Sequence, residues 1–268
     1  MIHLVTVVGG KIEALAHMLE HYRSLGVESF FVNLQLSADD DPAREQVEEI
    51  TRRFGCGIAS VTVGNWQMVL QDLYLKPRER YPSDWFLVAD QDEFQVYPAP
   101  VHDVIRACGR YDTIRGCLVD RVARDGSFAT LLAEQPIWDQ YPLGGLLTTQ
   151  ILHGDPRKVV AVRGPVPLKK GNHHAYEGTA CPTRDFYIPI HHFKWTAGLE
   201  ERLRARAESL KQGGFAQWHE SERFLEYYRL SGGRIDIDDP NLLVAECAPD
   251  YPHWEQFKKM VLRLPVIL

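Results

Sequence analysis

Three carboxylates fall within four positions in the run Trp85-Phe86-Leu87-Val88-Ala89-Asp90-Gln91-Asp92-Glu93-Phe94, directly after five apolar residues. An apolar run of that kind reads as a buried strand, and a buried strand cannot hold unpaired charges without a heavy desolvation cost. Crowded carboxylates also repel one another and raise each other's pKa. A divalent cation would remove both problems. Hard carboxylate oxygens suit Mg²⁺ or Mn²⁺, ions that keep open positions for water and substrate phosphates. In an extended chain Asp90 and Asp92 point the same way, and Glu93 points elsewhere.

Histidines form the second feature. Two adjacent pairs, His173-His174 and His191-His192, stand in the loop-rich second half, and His191-His192 follows the apolar run Phe186 to Ile190. Imidazole ligates Mn²⁺ and similar ions, so one carboxylate and one distant histidine could build a half-open metal site.

The elements that must position these groups alternate in type. Strands are expected over 2–8, 29–34, 58–63 and 85–89, because each is apolar and rich in β-branched or aromatic residues. Helices are expected over 11–25, 43–54 and 67–80, the last bent or ended by Pro77. Such β-α-β alternation predicts an α/β fold with a mostly parallel, Rossmann-like central sheet flanked by helices. Ligands of such sheets bind beyond the carboxyl ends of the strands. Gly9-Gly10, Asn33, Gly64-Asn65-Trp66 and Asp90 to Glu93 all stand at such ends. The second half reads as α+β: a helix over 101–108, strands over 113–119, 158–162 and 186–190, a loop over 164–184, and charged helices over 199–210 and 220–230. The expected organisation is a single domain with a nucleotide-binding half (1–98), an acceptor- and metal-completing half (99–198) and a C-terminal helical extension (199–268).

Bulk properties narrow the partners. The chain has 268 residues, a formal net charge of -6 and no basic block, which argues against nucleic acid or an anionic membrane as the main partner. Five cysteines without a C-x-x-C pair make a disulfide framework or a zinc-cysteine site unexpected. No stretch approaches the roughly 20 apolar residues of a membrane span, and the N-terminus lacks signal-peptide features. The expectation is a soluble, cytoplasmic protein of unassigned oligomeric state.

The first 200 or so residues resemble the glycosyltransferase family 2 lineage, in its branch with an Asp-x-Asp-Glu-Phe motif. That motif is matched by Asp90, Asp92, Glu93 and Phe94. The N-terminal helix is matched by Leu19-Glu20-His21-Tyr22-Arg23-Ser24-Leu25-Gly26-Val27. A lysine-led strand, a Gly-x-His element and a His-aromatic-basic element are matched by Lys158 to Arg163, Gly171-Asn172-His173 and His192-Phe193-Lys194. The resemblance implies a GT-A fold and metal-dependent, inverting transfer of a sugar from a nucleotide-sugar donor, with UDP-sugars favoured, to an unidentified acceptor. It implies that Asp92 ligates the metal, with His192 (or His191) completing the shell, and that Asp90 contacts the ribose or a metal-bound water. It implies that Val7, Gly9 and Asn33 hold the nucleoside, although family members usually carry Asp where this chain has Asn33. His173 joins the donor set through its Gly-x-His match.

Transfer needs the leaving diphosphate stabilised, and Lys158 and Lys169 are the candidate cations. It also needs a general base within reach of the acceptor hydroxyl. Asp120, closing the strand over 113–119, is the first candidate and Asp139 the second. Trp138, Tyr141 and Trp195 are candidate sugar-stacking rings. Two rival readings are a metal-dependent hydrolase and a non-catalytic sugar-nucleotide-binding module.

Overall fold

In the computed structural model the strand β1 (Ile2–Val8) is buried along nearly its whole length, as a continuous apolar run in the middle of a parallel sheet must be. The description covers residues 1–64, 66–182, 187–215 and 217–249, with only the backbone described at 66–68. Asn65, the strand start expected at Phe186, and the end of the expected C-terminal extension (250–268) lie outside the described residues.

The chain divides into two compact units, and neither is a continuous segment. Unit 1 comprises Met1–Cys117 and Arg157–Ile190; unit 2 comprises Leu118–Pro156 and His191–Leu268.

Unit 1 begins with β1, α1 (Leu15–Ser24), β2 (Ser29–Leu36), α2 (Ala43–Arg53), β3 (Ile58–Val63), α3 (Trp66–Glu79) and β4 (Trp85–Val88). It continues through β5 (Glu93–Gln95), α4 (Val101–Ala107) and the first half of β6 (Thr113–Val122). Its sheet runs β6-β8-β4-β1-β2-β3, where β8 is Arg157–Arg163. The four strands β4, β1, β2 and β3 are parallel, and the sheet turns antiparallel at β8. The expected α/β class is therefore present, with its parallel part confined to the first four strands. β3 alternates half-buried and exposed residues, as an edge strand packed on one face does.

The order β4-β1-β2-β3 places the reversal of winding beside β1. Right-handed crossovers set α1 and α2 on one face of the sheet and α3 on the other. Leu15, Met18, Leu19 and Tyr22 form the buried stripe of α1, each contributing roughly 1.5–3 kcal/mol of burial. Tyr74 of α3 packs with Val5, Phe86 and Val88. Pro77 does not end α3 early, because it falls in the last turn, which runs on to Glu79.

Unit 2 holds the second half of β6, α5 (Ile137–Gln140), β7 (Leu143–Gly145) and α6 (Leu147–Gln150). It also holds the end of β9 (Ile188–His192), α7 (Leu199–Gln212), α8 (Trp218–Leu230) and β10 (Ala245–Glu246). β7 pairs antiparallel with both β6 and β10. Trp195, Leu199, Leu203 and Phe224 pack with Val122 and Leu147 in its core. His191 and His192 stand inside β9 and not beyond its end, because the strand runs two residues further than the apolar run that signals it.

Candidate functional site

The acidic run folds as a turn between β4 and β5. Glu93 N donates to the carbonyl of Asp90 at 3.0 Å, and Asp90 N donates back to Glu93 Oε2 at 3.2 Å. Lys158, on β8, places its ammonium between the two carboxylates, 2.7 Å from Asp90 Oδ2 and 2.5 Å from Glu93 Oε1. Tyr74 donates its hydroxyl to the other Asp90 oxygen at 2.5 Å. Burial alone would lower the Lys158 pKa, but the two carboxylates outweigh it and hold the ammonium charged well above the usual lysine range. Burial, and then Asp90, push the Tyr74 phenol well up, so it stays a donor.

This arrangement corrects one expectation and its reasoning. Lys158 does not present a solvent-facing cation to a diphosphate; its side chain is 7% exposed and engaged by the acidic turn. The counter-charge assigned to a divalent ion is supplied at Asp90 and Glu93 by this lysine. Asp92 stands half-buried between the two paired carboxylates in sequence.

Gln91 ties the turn to the loop after β1, donating Nε2 to the carbonyl of Gly9 at 2.9 Å and to that of Lys11. With its carbonyl taken, Lys11 stays in the loop, and α1 begins at Leu15 instead of the expected Lys11. Gly9 has no room for a side chain: a Cβ there would stand 2.8 Å from the carbonyl oxygen of Gln35. Val7 is half-buried in the cluster around Val5 and Tyr74. The ends of β1 and β4, the two strands that flank the change of winding, are thus fastened together by one side chain.

Asn33 is not at a strand end. It lies within β2, 1% exposed, and its amide is committed to the sheet. Nδ2 donates to the carbonyls of Thr6 (3.2 Å) and Phe31 (3.3 Å), and Oδ1 accepts from Ser60 Oγ at 2.7 Å. A nucleoside-binding role for Asn33 is therefore replaced by clamping β1, β2 and β3. His173 donates Nδ1–H to the carbonyl of Arg157 at 2.7 Å. The Gly-x-His pattern has a physical cause: Gly171 has φ of 77°, and a Cβ there would meet the His173 ring at 2.7 Å. Lys169 is exposed, with its ammonium 5.9 Å from the Tyr176 ring.

Unit 2 contains a second constellation. Asp120 on β6 is fully buried and accepts four hydrogen bonds. Its Oδ1 takes them from Thr148 Oγ1 (2.8 Å), His192 Nδ1 (2.9 Å) and Trp195 Nε1 (2.8 Å), and Oδ2 takes one from Thr148 N (2.6 Å). Burial would raise the Asp120 pKa, but the bonds from His192, Thr148 and Trp195 outweigh it and bring the carboxyl below its usual range. A carboxylate enclosed in this way cannot meet an acceptor hydroxyl directly, so Asp120 is corrected from general base to a group that orients His192. Its bond to Nδ1 places the ring's acceptor nitrogen at Nε2. Asp139 lies exposed on α5 and keeps an accessible carboxylate.

His191 is fully buried and accounts for Nε2 with the carbonyl of Pro249 at 2.8 Å. Of the rings expected to stack on a sugar, Trp195 and Tyr141 are wholly buried, and each donates to a unit 2 acceptor. Trp138 packs edge-on against His191 and Phe193. Among the described residues no group of three or more His, Cys, Asp or Glu side chains is arranged to hold a metal. Among the described residues no helix is long and apolar enough to cross a membrane.

No family model matches the chain, and no curated protein does. Among solved structures, HddC from Yersinia pseudotuberculosis is similar at 15% identity over 46% of this chain and 60% of that one, with a TM-score of 0.30. S. aureus TarS is similar at 12% identity over 84% of this chain and 42% of that one, with a TM-score of 0.40. TarS 1-349 in complex with UDP-GlcNAc aligns at 11% identity over 85% and 71%, with a TM-score of 0.38. The chain thus spans less than two thirds of HddC and of the longer TarS chain. Likenesses of this size carry no argument about activity.

Proposed function

We propose that this chain is a nucleotide-sugar-dependent glycosyltransferase of GT-A type, inverting, with a UDP-sugar donor and an unidentified acceptor. The observation that carries the reading is the tie between Gly9 and Gln91. It joins the carboxyl ends of β1 and β4 where the winding of the parallel sheet reverses, the place at which such sheets bind ligands. Three carboxylates lie at that point, two of them neutralised by Lys158. Asp92, half-buried in the same turn, is the carboxylate that we assign to a metal-bound diphosphate.

Mn²⁺ or Mg²⁺ bound there with the donor would neutralise charge growing on the leaving diphosphate. Asp90, held by Lys158 and Tyr74, is the fixed acceptor for a ribose hydroxyl. Val7, Gly9 and His173 complete the donor contacts. Asp120 holds the His192 ring in one orientation. Asp139 is the candidate base for the acceptor hydroxyl.

Thermal shift with UDP, UDP-sugars and Mn²⁺ tests the reading, since a ligand of the native state stabilises it by mass action. UDP with Mn²⁺ together should raise the melting temperature by several degrees, each alone by much less, and Asp92→Ala should lose the Mn²⁺-dependent part. A large shift from Mn²⁺ alone would favour the hydrolase. Binding of UDP-sugar without turnover across an acceptor panel would favour the non-catalytic module.

A further inference from the structure

Cys108 and Cys181 are 73 residues apart in sequence, yet their sulfurs lie 3.0 Å from each other. Both are buried, at 0% and 2% exposure. A disulfide bond is about 2.05 Å long, so the two sulfurs need to close by about an ångström. The backbones that carry them are fixed independently of the thiols. Cys108 caps α4, with its N–H on the carbonyl of Val104 at 3.0 Å. Cys181 N donates to the carbonyl of Thr113 at 2.8 Å. Between these anchors Asp112 Oδ2 accepts from Thr179 N (2.8 Å) and Thr179 Oγ1 (2.9 Å), and Asp112 N donates to the carbonyl of Thr179 at 2.7 Å. Residues 177–180, immediately before Cys181, are exposed, which gives a small oxidant an approach by local opening.

We propose that Cys108 and Cys181 are a reversible modification site that forms a disulfide on reaction with a peroxide. The Cys181 thiolate attacks one peroxide oxygen, giving a sulfenic acid and one water. The Cys108 thiol then attacks that sulfur, forming the S–S bond and releasing a second water. Two thiols are oxidised and one peroxide is reduced to two waters. The bond ties the end of α4 to the segment that leads towards β9, and closing so long a loop stabilises the fold. This site is independent of the glycosyltransferase reading.

The test treats the whole protein with hydrogen peroxide, quenches it, denatures it, alkylates it and maps the peptides. Alkylatable thiols should fall from five to three, with one linked peptide joining Cys108 to Cys181. Dithiothreitol should restore all five, and the oxidised form should melt higher. Cys56, half-buried, is the competing target, so the same mapping on Cys56→Ser should give the same linked peptide. Five thiols after treatment, or oxidation at Cys56 with no linked peptide, overturns the proposal.

Discussion

Lys158 Nζ donates to Asp90 Oδ2 across 2.7 Å, from a strand 68 residues further along the chain. The same ammonium reaches Glu93, whose side chain is 3% exposed. One buried cation therefore holds both ends of the acidic turn, and the turn's shape depends on a residue that its own sequence does not contain.

Removing that cation takes the ammonium away from the buried Glu93 carboxylate, and breaking a buried ion pair by removing one partner costs about 3–5 kcal/mol. Lys158→Met should lose stability on that scale in urea unfolding. Adding Glu93→Gln should restore a large part, because the buried negative charge is then gone. A Lys158→Met protein as stable as the parent would show that the turn does not rest on the ammonium.

Asn33→Asp installs the residue usual in the resembling family, and here it should destabilise. Two donor contacts, to the carbonyls of Thr6 and Phe31, would become oxygen-against-oxygen contacts in a site 1% exposed. A loss of about 2 kcal/mol or more is expected at neutral pH. An unchanged urea midpoint, together with altered UDP affinity, would return Asn33 to the donor site.

Asp120 and Trp195 should be coupled. Trp195→Phe removes one hydrogen bond to a buried carboxylate and should cost about 1.5–3 kcal/mol. Asp120→Asn keeps one acceptor oxygen but turns an amide N–H₂ towards at least one present donor. Because the two residues share a bond of 2.8 Å, their double variant should fall short of additivity by about 0.5–3 kcal/mol. Strict additivity in chemical denaturation would mean that the indole does not help to hold the carboxylate.

The parallel half of the fold was legible because its signals are local. β1 and β3 carry short runs rich in apolar and β-branched residues, and their bounds agree with those runs residue for residue. β7 was not legible, because two of its three residues are Gly144 and Gly145, and glycine carries no strand signal. Those glycines are required by a neighbour distant in sequence: a Cβ at Gly144 would stand 2.7 Å from Cys247 Sγ. The site divides the same way. The acidic run and the His192 element announce themselves by composition and order. The partners that fix them, Lys158 for Asp90 and Asp120 for His192, are set by strand pairing, which no local pattern encodes. By residue type and position Lys158 and Asp120 read as cation and base; burial decides what each charge can touch and gives both another task.

Asp112 gives a prediction about acid. Its carboxyl lies below the usual range, chiefly through the backbone and then the hydroxyl bond from Thr179, with Arg163 adding a smaller pull. A carboxylate whose folded pKa is below its unfolded value of about 3.9 stabilises the fold above that pH. The contribution is lost as pH falls through the lowered folded value. Asp112→Asn should therefore be less stable than the parent at neutral pH, by about 1 kcal/mol for the weakened Thr179 bonds. The gap should narrow below about pH 4, where the parent's own carboxyl becomes protonated. Urea unfolding of both proteins across that range measures it. A gap that stays constant into acid would mean that shape, and not the charge on Asp112, holds the segment carrying Thr179 and Cys181.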